Sequence, residues 1–76
     1  MKFKVGDRVK VAVDYSPVAK LGECGTVIGK EGYVAYQVKF DEYDSCRHSC
    51  NGKCDDGYGW NCIGEMLEKE MLEEQK

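Results

Sequence analysis

The chain has 76 residues, with 11 Lys and Arg against 14 Asp and Glu, one His, one Pro and five Cys. That length leaves room for one small core, of a size class that buries only about 60% of its unfolded surface and is often stapled by metal or disulfide. A net charge of −3 argues against a broad nucleic-acid surface, which needs cations to neutralise phosphate, and nowhere do enough apolar residues follow one another to span a bilayer.

Charge is uneven along the chain: residues 1–30 carry net +3 and residues 31–76 carry net −6. Lys2, Lys4, Arg8 and Lys10 read as the solvated side of early strands. The first residues contain no apolar run of signal-peptide length, which points to the cytoplasm. Thiols there are kept reduced, and the odd cysteine count argues in the same direction, so zinc outranks disulfides.

The first element expected is a half-buried strand over 7–13, where Val9, Val11 and Val13 alternate with Arg8, Lys10 and Ala12. Residues 14–22 follow as an irregular excursion around Pro17, the only proline. A second strand covers 24–30, and Glu31-Gly32 forms a tight hairpin turn. The third strand, 33–40, places Val34, Tyr36, Val38 and Phe40 on one face. A hydrophilic loop over 41–57 comes next. Loops of that length are uncommon in compact domains unless functional, disordered or tied down. Residues 58–63 form a short fourth strand, 64–67 a single helical turn, and 67–70 a last strand, with 73–76 fraying. Tyr36, Phe40 and Trp60 are expected in the core.

The long loop carries the strongest chemical signal. Between Cys46 and Cys62, seventeen residues hold four of the five cysteines and the only histidine. Thiolates and imidazole bind Zn2+ tetrahedrally, and the Cys50-x-x-x-Cys54 spacing lets two sulfurs reach one ion at about 2.3 Å. The expected ligands of a structural Zn2+ are four of His48, Cys50, Cys54, Cys62 and Cys46. The His48-x-Cys50 separation needs a turn to bring both side chains together, so the four-cysteine set competes with the sets that include His48. Cys62 alternates with Trp60 on a strand and could pack in the core instead, Cys24 reads as buried and inert, and a disulfide within the cluster is the alternative staple.

Three stretches resemble a known architecture. They are Gly6-Asp7-Arg8-Val9-Lys10-Val11, Gly22-Glu23-Cys24-Gly25-Thr26-Val27-Ile28-Gly29, and Tyr36-Gln37-Val38-Lys39-Phe40-Asp41. They are similar to the opening strands of SH3-like barrels of the KOW and Mind-bomb type, and the closing Gly59-Trp60-Asn61-Cys62-Ile63-Gly64-Glu65-Met66-Leu67-Glu68 resembles the end of those barrels. The resemblance implies a mainly β, five-stranded SH3-like barrel over 1–72, with 41–57 as a Cys/His-rich loop between strands 3 and 4. More narrowly, 48–60 resembles a "H-x-C-x-G-x-C-x-x-G-H-G-W" loop found in small proteins of bacteriophages and Gram-positive prophages. Tyr58 departs from it where the pattern often has His, so a ligand supplied there in relatives would have to come from Cys46 or Cys62. A phage or prophage origin is what this resemblance implies.

Catalysis fits the residues less well than binding. A catalytic zinc needs an open position and a base; Asp44, Asp55 and Asp56 are candidates, but acidic loop residues are mostly turn formers. A Cys–His48 nucleophile lacks a third orienting residue, and so small a domain has little room for a deep pocket. The expectation is a non-enzymatic binding module that contacts a protein or peptide through Tyr15, Tyr43 and Tyr58. A KOW-like nucleic-acid module is the alternative, since small barrels can stack unpaired bases on aromatic rings.

Overall fold

The structure is a computed structural model and describes residues 3–70. The frayed tail expected at 73–76 and the outer limits of the 1–72 domain lie outside the described residues. Five antiparallel strands form one sheet: β1 (Arg8–Val11), β2 (Cys24–Glu31), β3 (Ala35–Phe40), β4 (Gly59–Ile63) and β5 (Leu67–Lys69), in the order β4-β3-β2-β1-β5. A single 3-10 turn, Gly64–Met66, joins β4 to β5. The sheet is open, with β4 and β5 as its edges, and no α-helix occurs among the described residues. None of those residues forms a helix long and apolar enough to cross a membrane.

The period-2 pattern builds this sheet. Val9 and Val11 point inward from β1, Val27 from β2, Tyr36, Val38 and Phe40 from β3, Cys62 from β4 and Leu67 from β5, and Phe3, Val18, Ala19 and Met66 complete the cluster. Trp60, opposite Val38 in the ladder, packs against it. The expected burial of Tyr36 and Phe40 holds, while Trp60 is only partly buried.

Two apolar positions assigned to the core face lie outside it. β1 ends at Val11; the Ala12 N–H still donates to Met66 O at 2.7 Å, in register with the β1–β5 ladder, and Val13 beyond it is 54% exposed. In the β2–β3 hairpin Glu31 pairs with Ala35, so residues 32–34 form the turn instead of Glu31-Gly32, and Val34 stands 69% exposed. A bulge between Val27 and Gly29 lets Val27 face Val38 and Gly29 face Gln37, leaving Ile28 without a partner in the ladder.

Arg8 ties three chain segments together. Its guanidinium makes a two-pronged contact with Asp41 (2.9 and 2.7 Å), donates through Nε to Glu70 at 2.8 Å, and reaches Thr26 Oγ1 at 3.1 Å. This hydrogen bonding holds the Asp41 and Glu70 carboxyls below the usual carboxylate range. Groups whose acidity is raised by folding stabilise the fold above their unfolded pKa, about 4, and lose that contribution as pH falls through the lower folded value. Stability to urea should therefore fall between pH 5 and pH 2 as estimated from ordinary carboxylate values, and Arg8→Met should flatten that fall. An acid dependence unchanged in the variant would remove this cluster from the account.

Candidate functional site

Between Phe40 and Gly59 the chain carries turns and one isolated bridge. Its anchor is Arg47, whose side chain is fully buried. The guanidinium donates to Val18 O at 2.7 Å, to Glu42 O at 2.6 Å and to the Glu23 carboxylate, and it lies 4.0 Å above the centroid of the Phe40 ring. A planar fork of donors suits such divergent acceptors, and the ring face adds a cation–π contact. Ahead of it, the Asp44 carboxylate accepts the Cys46 N–H at 2.9 Å, which holds that carboxyl below its ordinary range, and Asp44 O accepts the Arg47 N–H. Beyond it, His48 and Gly59 exchange two backbone hydrogen bonds, of 2.9 and 2.7 Å.

These bonds lay residues 48–54 on the outer face of β3 and β4. On β4, Trp60 and Cys62 face the core with Val38 and Tyr36, whereas Gly59 and Asn61 face away with Lys39 and Gln37. A side chain on Gly59 would stand 2.7 Å from Cys50 Sγ, 2.9 Å from Cys54 Sγ and 2.9 Å from His48 O. Glycine is therefore required by close approach at this seat. Lys53 adds a second tie by donating to Gln37 Oε1 at 2.7 Å, and a Cβ on Gly29 would collide with Gln37 Oε1 and lie 2.8 Å from Lys53 Nζ. Gln37, a polar residue, is consequently buried.

Of the five expected zinc ligands, the structure brings two thiols together, Cys50 and Cys54. Cys62 lies on the opposite face, wholly buried in the core. Burial raises its thiol pKa to about 12. The physical reason is strand alternation, which gives Cys62 the side of Trp60 and not that of Gly59. Cys46 is exposed on the turn before Arg47. His48 stacks on Trp60 with centroids 4.9 Å apart, and its Nδ1 accepts the Cys50 N–H at 2.9 Å. Accepting there puts the ring proton on Nε2 and occupies the Nδ1 lone pair, so Nδ1 reaches a metal only by giving up the Cys50 N–H. No group of three or more His, Cys, Asp or Glu placed to hold a metal occurs among the described residues. Burial, then the neighbouring Cys54, raises the Cys50 thiol to about 11, and burial raises Cys54 as well. Cys24, read as buried, is only partly so, and sits beside Glu70 and Arg8.

The expected contact tyrosines divide between two places. Tyr43 and Tyr58 meet edge to face at 5.9 Å, with Tyr43 against Gly57 yet 64% exposed, so this pair both packs the 41–58 segment and presents a ring to solvent. Tyr15 lies elsewhere, in an apolar groove beside the 3-10 turn. One hollow there, of about 370 Å3, is lined by Val34, Tyr36, Ile63, Gly64 and Glu65. Another, of about 180 Å3, is lined by Val13, Tyr15, Ile63, Glu65 and Met66. Ile63 and Glu65 belong to both. Ala12 N–H to Met66 O and Gly64 N–H to Val34 O (3.1 Å) hold the walls to the turn. Val13, Val34 and Ile63, exposed beside these hollows, are not among the expected contact residues because their apolar character signals a core. Their positions at strand ends, next to a turn and the excursion over 14–22, are the sequence signal that separates them from it.

Comparison with protein-family models, with curated proteins and with solved structures found no match for the chain.

Proposed function

We propose that the protein is a small non-enzymatic binding module that docks a short apolar segment of a protein partner, bearing one Lys or Arg, in the groove of Val13, Tyr15, Val34, Ile63 and Glu65. The observation that carries the reading is that two apolar hollows adjoin at Ile63 and Glu65, which line both. Exposed apolar side chains grouped around a concavity mark interaction sites more often than scattered ones do. Glu65 is the charged residue common to both hollows, so it favours a basic partner side chain and disfavours phosphate. Strand order and the single 3-10 turn before β5 support the SH3-like reading of this frame.

In this reading the 41–58 segment is a support, seated by Arg47 and Gly59. A Zn2+ clip would have Cys50 and Cys54 as its ready donors; His48 would have to exchange its Nδ1 hydrogen bond before joining them.

Peptides selected from a random display library on the reduced protein test the docking surface. Ile63→Glu should weaken binding of the selected peptides by at least about tenfold, the scale of a central contact residue, with little loss of stability because Ile63 is 45% exposed. Equal binding by the folded variant would move the site elsewhere.

A further inference from the structure

The Cys50 and Cys54 thiols form a second site, apart from the apolar groove. We infer that they are a dithiol that closes reversibly into an intramolecular disulfide when it meets a low-molecular-weight disulfide such as oxidised glutathione.

The turn between them brings both sulfurs to one point. Cys50, Asn51 and Gly52 have φ of 51°, 60° and 88°, three successive left-handed residues that reverse the chain. Cys54 N–H donates to Ser49 O at 3.1 Å, Lys53 N–H to Cys50 O at 3.3 Å, and Gly52 N–H to Ser49 Oγ at 3.0 Å. The base of this closed turn is Ser49 with Cys50 on one side and Cys54 on the other. Their sulfurs meet over Gly59, where the absent side chain leaves the space they share.

Access gives the two thiols different parts. Cys50 is 1% exposed, whereas Cys54 is partly open to solvent. Cys54, as thiolate, attacks one sulfur of glutathione disulfide and expels a glutathione thiolate, leaving Cys54 in a mixed disulfide. Cys50 then loses its proton and attacks Cys54 Sγ, expelling the second glutathione. The protein gives up two electrons and two protons, and one glutathione disulfide becomes two glutathiones. Cys62 is kept from the pair by the sheet itself, and the Cys24 thiol lies against Gly22 O, Glu70 and Arg8 instead of beside Cys50 and Cys54.

The test is intact-mass analysis and peptide mapping of the full chain, purified reduced and without chelator, then equilibrated in glutathione buffers of rising disulfide fraction. The expected result is loss of the mass of two hydrogens from the peptide that carries Cys50 and Cys54, reversed by excess reduced glutathione, and independent of any single glutathione added at the exposed Cys46. In Cys50→Ser, Cys54 should instead gain one glutathione; in Cys54→Ser, the buried Cys50 should gain none while the fold holds. Linkage through Cys46, Cys24 or Cys62, or retention of both thiols in oxidising buffer, would overturn the inference. So would a stoichiometric zinc ion, measured on the same sample, that shields the pair from oxidation.

Discussion

Arg47→Met is expected to cost about 3 kcal/mol of folding stability, the scale set by removing one partner from a buried charged contact. Methionine can still cover Phe40, but it offers no donor to Val18 O or Glu42 O and leaves the Glu23 carboxylate without its cation. Glu23 keeps the Lys20 N–H at 2.8 Å, which limits the loss at that carboxylate. In a small domain stable by about 5 kcal/mol, such a change lowers the thermal midpoint by roughly 15 °C. Arg47→Lys should recover little, because one ammonium cannot present a planar fork to three separated acceptors. Urea unfolding gives the size of the effect, and hydrogen exchange gives its place: amides in 41–58 should exchange faster than those of β1 and β2 under folding conditions. A loss below about 1 kcal/mol with unchanged exchange would mean that the segment is held by something other than Arg47.

Gly59→Ala is expected to be nearly as costly, at about 2 kcal/mol, the middle of the range for overpacking. The new methyl would meet two sulfurs and the His48 carbonyl, each under 3 Å away. Cysteine side chains can rotate, but His48 O is fixed by its bond from the Gly59 N–H, so part of the clash cannot relax. A double-mutant cycle separates the two parts. In a Cys50→Ala background the methyl finds room where Cys50 Sγ stood, and the cost of Gly59→Ala should fall by about 1 kcal/mol, the scale of coupling between touching residues. Strict additivity would show that Cys50 does not occupy the seat over Gly59.

The strands were legible in the sequence because alternation of apolar and polar residues is a local property. Val9 and Val11, Tyr36, Val38 and Phe40, and Trp60 and Cys62 all show it, and the turn and short strand after Ile63 follow from the same reading. Alternation does not say where pairing ends. Val13 and Val34 continue the pattern past the paired residues, Val13 beyond the Ala12 N–H bond to Met66 O that closes β1 and Val34 within the turn over 32–34. The outer face of β3 and β4 was less legible still. Gln37 and Gly59 carry no sign of burial in their residue types, yet a covering turn buries both. Arg47 was hidden for a different reason: its acceptors are two backbone carbonyls and a carboxylate, and one of them lies 29 residues away in the chain. Among the soft ligands, spacing indicated Cys50 with Cys54, and the alternation of Cys62 with Trp60 indicated the core. The tautomer of His48 depends on a backbone amide whose position no spacing rule supplies.

Amide shift mapping shows whether a partner seats in the groove beside the 3-10 turn. Uniformly nitrogen-15-labelled protein would be titrated with a display-selected apolar peptide bearing one basic residue. The largest shifts should fall at Val13, Tyr15, Val34, Ile63, Gly64 and Glu65, and Glu65→Gln should weaken binding in a salt-sensitive way. Shifts centred instead on Tyr43, Tyr58 and the 46–54 turn, with the groove silent, would contradict that seating.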